Sequence, residues 1–183
     1  MLLTITDKFS KAIKLVACKT TDSAADIASL YLQQAYATFG LPVKIISDRD
    51  ARFTSRFWRS LMDLLDVKLG MTTAFHPQAD GQSEKTNATV KIALRCLLHG
   101  NEDSYSKWPD YLPILELEYN NLPNASTNEA PNDLRFALRP RGIPDLLSPI
   151  SNTALSTSDT AQSMIDDLKN RRSDTCDAIL HAQ

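Results

Sequence analysis

Two short runs of apolar and β-branched residues, "LLTIT" at 2–6 and "AIKLVA" at 12–17, stand at the start of the chain with "DKFS" between them. Runs of this length bounded by polar turn residues are strand-sized, and their closeness makes them a hairpin. The segments that follow alternate in period. "TTDSAADIASLYLQQAYATFG" sets Ile27, Leu30, Tyr31 and Ala35 at helical spacing and ends on Gly40, the residue that most readily stops a helix. "LPVKIISDRD" holds a short buried strand closing on Ser47 and Asp48, and "TSRFWRSLMDLLDV" returns to a helix with Phe57, Trp58, Leu61, Leu64 and Leu65 on one side. "VKLGMTTAF" reads as a strand, "HPQADGQ" as a turn, and Ser83 to about His99 as a helix. "SYSKWPDYLPILELEYNNL" is helical with Pro113 in its early turns, "NDLRFAL" is a short helix, and 159–181 is an amphipathic helix carrying Met164, Ile165, Leu168, Cys176, Ile179 and Leu180. Strands first, then alternation, then helices predicts an α/β fold, a mixed sheet covered by helices.

Composition narrows the function. At 183 residues the chain is one domain's length. Its net charge of −2 gives no basic field over the whole molecule, so any contact with nucleic acid must come from a local patch of Lys and Arg. Cys18, Cys96 and Cys176 are far apart, and His76, His99 and His181 are scattered; that pattern speaks against a zinc site and for free thiols in a reducing compartment. No run reaches the length of a membrane span and no leader pattern follows Met1, so a soluble intracellular protein without membrane partners is expected.

Among the acidic residues, Asp48 and Glu84 form the informative pair. One ends a strand and the other begins a helix, with a Gly-containing loop between them; positions 49 through 83 make 35 intervening residues. Chemistry on phosphodiesters needs carboxylates converging on Mg²⁺, which prefers hard oxygen ligands. Two such ions roughly 4 Å apart activate an attacking oxygen and stabilise a leaving one. A strand-end Asp and a helix-start Glu can face each other across such a site. The helix that follows sets Glu84, Ala88, Lys91 and Arg95 on one face with Asn87 beside them, and Val90, Ala93, Leu94, Leu97 and Leu98 on the other. A carboxylate at the tip of a face with bases behind it suits a phosphate backbone lying along the helix.

Three stretches together, "TDKFSKAIKLV", "IISDRDARFTSRFW" and "AFHPQADGQSEKTN", resemble the integrase catalytic core of Ty3/gypsy-type LTR retrotransposons, which shares the RNase H-like fold of retroviral integrases. "EYNN" and "APNDLRFALRPRGIPDLL" fit that family's later helices. The resemblance divides the chain into a partial catalytic core over 1–147 and a linker with a C-terminal amphipathic helix over 148–183. It implies that Asp48 and Glu84 are catalytic metal ligands, for Mg²⁺ or Mn²⁺. It makes His76, Pro77 and Gly81 part of an active-site loop, and Gln78, Gln82, Asn87, Lys91 and Arg95 contacts to DNA. The residue after the Asn is often basic in the family; here it is Ala88, which loosens the expected grip. The implied partners are retroelement ends, target DNA and further copies of the chain, with no small-molecule substrate, and the implied location is the nucleus.

The same resemblance places Asp7 on a turn that carries no metal ligand. It also implies that the strand bearing the family's first Asp is missing from these residues, leaving two of three acids and unpaired backbone where that strand would lie. The expected function is that of an integrase core fragment, by family a polynucleotidyl transferase for 3′-end processing and strand transfer, inactive here for want of that Asp. The alternative is a non-catalytic nucleic-acid-binding or oligomerisation module in which Lys91, Arg95, Arg135, Arg139 and Arg141 work without metal.

Overall fold

The computed structural model describes residues 1–71, 81–99, 102–137, 140 and 159–182. They form two compact units: Met1–Asp7 with Ile13–Ala88, and Lys8–Ala12 with Thr89–Gln183.

In the first unit, strands β1 (Leu2–Thr6) and β2 (Ile13–Ala17) pair antiparallel in the register Leu2↔Ala17 to Thr6↔Ile13. Met1 and Cys18 extend the ladder by exchanging backbone bonds of 2.6 and 2.9 Å. Helix α1 starts at Ala24 behind a capping box, in which the Ser23 hydroxyl accepts from the Asp26 N–H and the Asp26 carboxylate accepts from the Ser23 N–H. It runs through Leu30, opens into a π-helical segment at Tyr31–Tyr36, and closes at Ala37–Phe39. Gly40 ends it with φ +73°, a value that a side chain would resist. Strand β3 (Lys44–Ser47) pairs parallel with β4 (Lys68–Met71). Between them lie α2 (Ala51–Thr54), capped by Asp50, and α3 (Arg56–Leu64), capped by the Ser55 hydroxyl. The hairpin, the Gly40 stop and the presence of strands at β3 and β4 agree with the sequence reading. The strands, however, form two separate two-stranded sheets, β1–β2 and β3–β4.

The core of this unit gathers around Trp58 and Met62, with Ile27, Ala28, Tyr31, Ala35 and Val67. Phe53 and Tyr31 meet the Trp58 ring edge-on, at centroid distances of 5.1 and 5.9 Å. Two α3 residues expected inside are out: Phe57 is 48% and Leu64 85% exposed, whereas Trp58 is 2% exposed. The buried stripe is Trp58, Leu61, Met62 and Leu65, the i, i+3, i+4, i+7 series of a helix, and Phe57 and Leu64 sit a hundred degrees round from it.

Helix α4 (Gly81–Leu98) belongs to the first unit up to Ala88 and to the second from Thr89. It is followed by a 3₁₀ segment (Glu102–Tyr111), then α5 (Leu112–Asn121), α6 (Pro131–Phe136) and α7 (Asp159–Ala182). Pro113 falls in the first turn of α5, where its missing N–H costs no helical bond. Helix α7 packs on α5. Its buried residues are Thr175, Ala178 and Ile179, while Met164, Leu168 and Leu180 are exposed, so the inward face is narrower than the apolar pattern predicts. None of the described helices is long and apolar enough to cross a membrane.

Candidate active site

Asp48 follows β3 directly and is exposed. Its Oδ1 accepts the Asp50 N–H at 3.2 Å, closing an Asx turn that fixes the chain leaving the strand. Asp50 is the next clamp. Its Oδ1 accepts from the Arg52 N–H at 2.9 Å and from Arg52 Nε at 2.8 Å, and its Oδ2 meets Arg52 Nη2 at 2.5 Å. The Arg52 side-chain bond, then its backbone bond, hold the Asp50 carboxyl down at about 2. The pair ties the turn to the first residues of α2 and leaves the Asp48 carboxylate in solvent. Asp50 thus takes Arg52 as its ion-pair partner.

Glu84 stands exposed in the first turn of α4, where a carboxylate is favoured by the unpaired N–H groups of the helix start. Asn87, one turn on, is half-buried. A cavity of about 290 Å³ in the first unit is lined by Asp48 and Asn87 together, with Met1–Thr6 along β1 and Ile46 and Ser47 from β3. Glu84 is not among its lining residues. Along the rest of α4, Ala88, Lys91 and Arg95 are exposed while Val90, Ala93, Leu94 and Leu98 are buried. Gly81 and Gln82 lie in the helix itself, which begins earlier than expected. His76, Pro77 and Gln78 lie outside the described residues, as does the side chain of Gln82. Asp7 follows β1 and does not line the cavity.

The donors that α4 and β3 offer, two carboxylates and an amide oxygen, are hard oxygen ligands of the kind that suits Mg²⁺ or Mn²⁺. Among the described residues no cluster of three or more His, Cys, Asp or Glu is set to hold a metal. Sequence reasoning missed two features. The Asp-x-Arg spacing of 50 and 52 could have shown the clamp. The second, a cavity of about 440 Å³ in the second unit lined by His99, His181, Cys96, Asp174 and Asp177, brings together residues too far apart in sequence to be linked.

No protein-family model matches the chain. It is 33% identical over 147 residues to the Transposon Tf2-3 and Tf2-4 polyproteins of Schizosaccharomyces pombe, a match that covers 78% of the chain and 11% of those polyproteins. The chain therefore spans about a ninth of the length of these curated relatives. Among solved structures it resembles the HTLV-2 integrase catalytic core domain in complex with magnesium, with TM-score 0.54 and 21% identity over 71% of this chain and 80% of that one. It also resembles a chain of the simian T-cell lymphotropic virus intasome in complex with PP2A regulatory subunit B56 gamma, with TM-score 0.59 and 18% identity over 86% of this chain and 54% of that one. The fold is thus that of the integrase catalytic cores, RNase H-like in class. The chain's relatives by sequence are thus polyproteins of Ty3/gypsy type, and its neighbours by structure are retroviral integrase catalytic cores.

Proposed function

We propose that this chain is the core of a retroelement integrase, a polynucleotidyl transferase acting on DNA ends, with Asp48 and Glu84 as its metal carboxylates. The observation that supports this reading most is the meeting of Asp48 and Asn87 at one cavity, with Glu84 one turn before Asn87 on the same helix. A bound Mg²⁺ or Mn²⁺ would supply electrostatic stabilisation of charge on phosphoryl oxygens. The chain's own residues supply the rest. The Asp50–Arg52 clamp keeps the turn after β3 in place, so that Asp48 is held ready without reorganisation. Lys91 and Arg95, exposed on the face that Glu84 heads, are placed to run along a DNA backbone, with Gln78 and Gln82 as further DNA contacts, His76 and Pro77 as their neighbours in the active site, and Gly81 opening the helix. The substrates are retroelement ends and target DNA, the working form a homo-oligomer, and the location the nucleus.

These 183 residues hold two of the three acids that the resemblance implies, so we assign them little or no strand transfer by themselves. Titration with Mn²⁺, read by calorimetry, tests the ligand assignment. Asp48→Asn and Glu84→Gln are each expected to weaken binding about tenfold, the loss of about 1.4 kcal/mol of interaction. Binding that neither substitution changes removes both residues from the metal site. Robust Mg²⁺-dependent joining of DNA ends by the purified chain, lost in Asp48→Asn, would overturn the inactivity. The second reading, a non-catalytic DNA-binding or oligomerisation module, is favoured by the exposure of Lys91 and Arg95 on one face of α4, since they need no metal to hold phosphate.

A further inference from the structure

The connection between β1 and β2, residues 7–12, inverts the usual order of inside and outside. Phe9 at its tip is 79% exposed, while the next residue, Ser10, is 1% exposed. Aromatic rings are ordinarily turned in and hydroxyls out. The inversion has a local cause. Ser10 Oγ accepts the Ala12 N–H at 3.2 Å, so the buried hydroxyl has its partner inside the turn. Lys11 stands at φ +66°, in the left-handed region that a residue other than glycine keeps only when its neighbours hold it there. Its Nζ reaches back to donate to the Lys8 C=O at 2.8 Å. These contacts fix the tip with Ser10 inward and leave Phe9 outside.

Two positive charges accompany the ring. Lys8 precedes it and is exposed, and the Lys11 ammonium, held at the Lys8 carbonyl, lies at the foot of the same tip. The one acid of the connection, Asp7, stands at its start, directly after β1. A ring left in water forgoes the stabilisation that burial would bring, and a ligand that covers it must offer a flat or apolar face. The two ammonium groups require negative charge beside that face. A nucleotide chain carries both, since each base presents a π-face between two phosphates. The tip, Lys8–Ala12, belongs to the same compact unit as Lys91 and Arg95, which the proposed function assigns to a DNA backbone.

We propose that Phe9, with Lys8 and Lys11, is a stacking site for an unpaired nucleotide of DNA. The inference rests on the reading of this chain as one that acts on DNA ends. Inside a closed duplex each base is covered by its neighbours, so the ring finds a free base face only at a frayed end or in a single strand. Phenyl has no donor or acceptor, so the site holds any base and carries no sequence information. Lys8 and Lys11 neutralise the phosphates beside the stacked base. The tip thus separates unpaired from paired DNA, a distinction that the phosphate contacts of Lys91 and Arg95 do not make.

The test titrates the full chain into a short single-stranded oligonucleotide bearing 2-aminopurine, whose fluorescence falls when the base stacks, and into a labelled blunt duplex of the same sequence. Phe9→Ala is expected to weaken single-strand binding about tenfold and to abolish the quench, and Phe9→Trp to restore both. Duplex binding is expected to change little in either variant. Lys8→Gln is expected to keep the quench and to lower the salt slope of single-strand binding by about 0.7. Phe9 is exposed, so both of its variants are expected to keep the urea midpoint of the parent chain. If Phe9→Ala lowers it, Phe9→Leu, apolar but unable to stack, decides the question. Single-strand binding and a quench that survive the loss of the ring overturn the proposal, while duplex binding leaves the DNA reading standing. A parent chain that binds neither form overturns that reading and the proposal with it. Phe9-dependent binding to phosphatidylcholine vesicles containing phosphatidylserine, without a Phe9-dependent quench, also overturns the proposal, because a membrane surface would then be the partner.

Discussion

Arg172 donates through Nε to Glu118 Oε1 at 2.9 Å, tying α7 to α5 across a long stretch of chain. The other oxygen of the same carboxylate accepts from the Cys176 thiol at 3.2 Å. The Glu118 side chain is 5% exposed and that of Arg172 28%, so the carboxylate relies on partners that α7 brings. Removing one member of such a pair leaves a buried charge uncompensated, which costs far more than the pair contributes over an apolar replacement. Arg172→Met is expected to destabilise the chain by about 3 kcal/mol, measured as a lowered urea midpoint with unchanged slope. A double variant, Arg172→Met with Glu118→Met, is expected to recover much of that loss. Equal stability of Arg172→Met and the parent chain would show that the pair is not formed in solution.

Cys176 is the least reactive thiol for the same reason. Burial first, then its hydrogen bond to Glu118 and that carboxylate's charge, push it up to about 12. Burial also raises Cys18, whereas Cys96 is exposed. Thiolate is the reactive form, so Ellman's reagent at pH 8 is expected to modify one cysteine quickly in the native chain and all three in denaturant. Cys96→Ser is expected to remove the fast phase. The raised value has a consequence for stability as well. An unfolded chain ionises Cys176 near 9.0 and the folded one only near 12, so the unfolded state loses its proton first. The contribution is full below pH 9 and is lost as pH rises toward 12. Unfolding midpoints should fall more steeply over that window in the parent chain than in Cys176→Ala.

Asp50 works in the opposite direction. Its carboxyl is held at about 2 against an ordinary 3.8, so its contribution is present above pH 4 and fades as pH falls through 2. Asp50→Asn at neutral pH loses the ion pair with Arg52 and weakens the cap of α2, about 1 kcal/mol in total. At pH 2 the two proteins are expected to come closer in stability. A gap that stays constant from pH 7 to pH 2 would mean that the charge on Asp50 is not what stabilises the turn.

Much of the first unit is legible in its sequence because its signals are local. Gly40 stops α1 and Ser55 caps α3 through contacts within a few residues, and the alternation of short runs gives the strands. The misread side of α3 has a physical reason: Phe57 and Leu64 are as apolar as Trp58 and Leu61, and composition cannot say which of two adjacent stripes turns inward. Glu118 was hidden differently. Glu116 and Glu118 look alike in "LELEYNN", and the one that is buried is decided by Arg172, a residue on another helix. In the candidate site, the pairing of Asp48 with Glu84 is an expectation from spacing and resemblance together, while the meeting of Asp48 and Asn87 at one cavity is visible only in the fold.

Lys91 and Arg95 give the last expectation, and it separates the two readings of function. Both are exposed on the face of α4 that Glu84 heads. If that face follows a DNA backbone, each base releases condensed counterions on binding, and the logarithm of affinity falls with the logarithm of salt by about 0.9 per phosphate neutralised. Lys91→Ala with Arg95→Ala is then expected to reduce the slope by about 2 and to weaken binding equally for unrelated sequences, since phosphate contacts carry no base information. Fluorescence anisotropy on a labelled duplex across a salt series measures both. Metal decides what the binding is for. An affinity that rises with Mg²⁺ and loses that rise in Asp48→Asn supports an integrase site, in which the ion neutralises part of the phosphate charge beside the carboxylates. An affinity indifferent to EDTA, with the same salt slope, supports a binding module that shares the fold and has no need of the two acids. A slope that the double substitution leaves unchanged would take α4 out of the interface altogether.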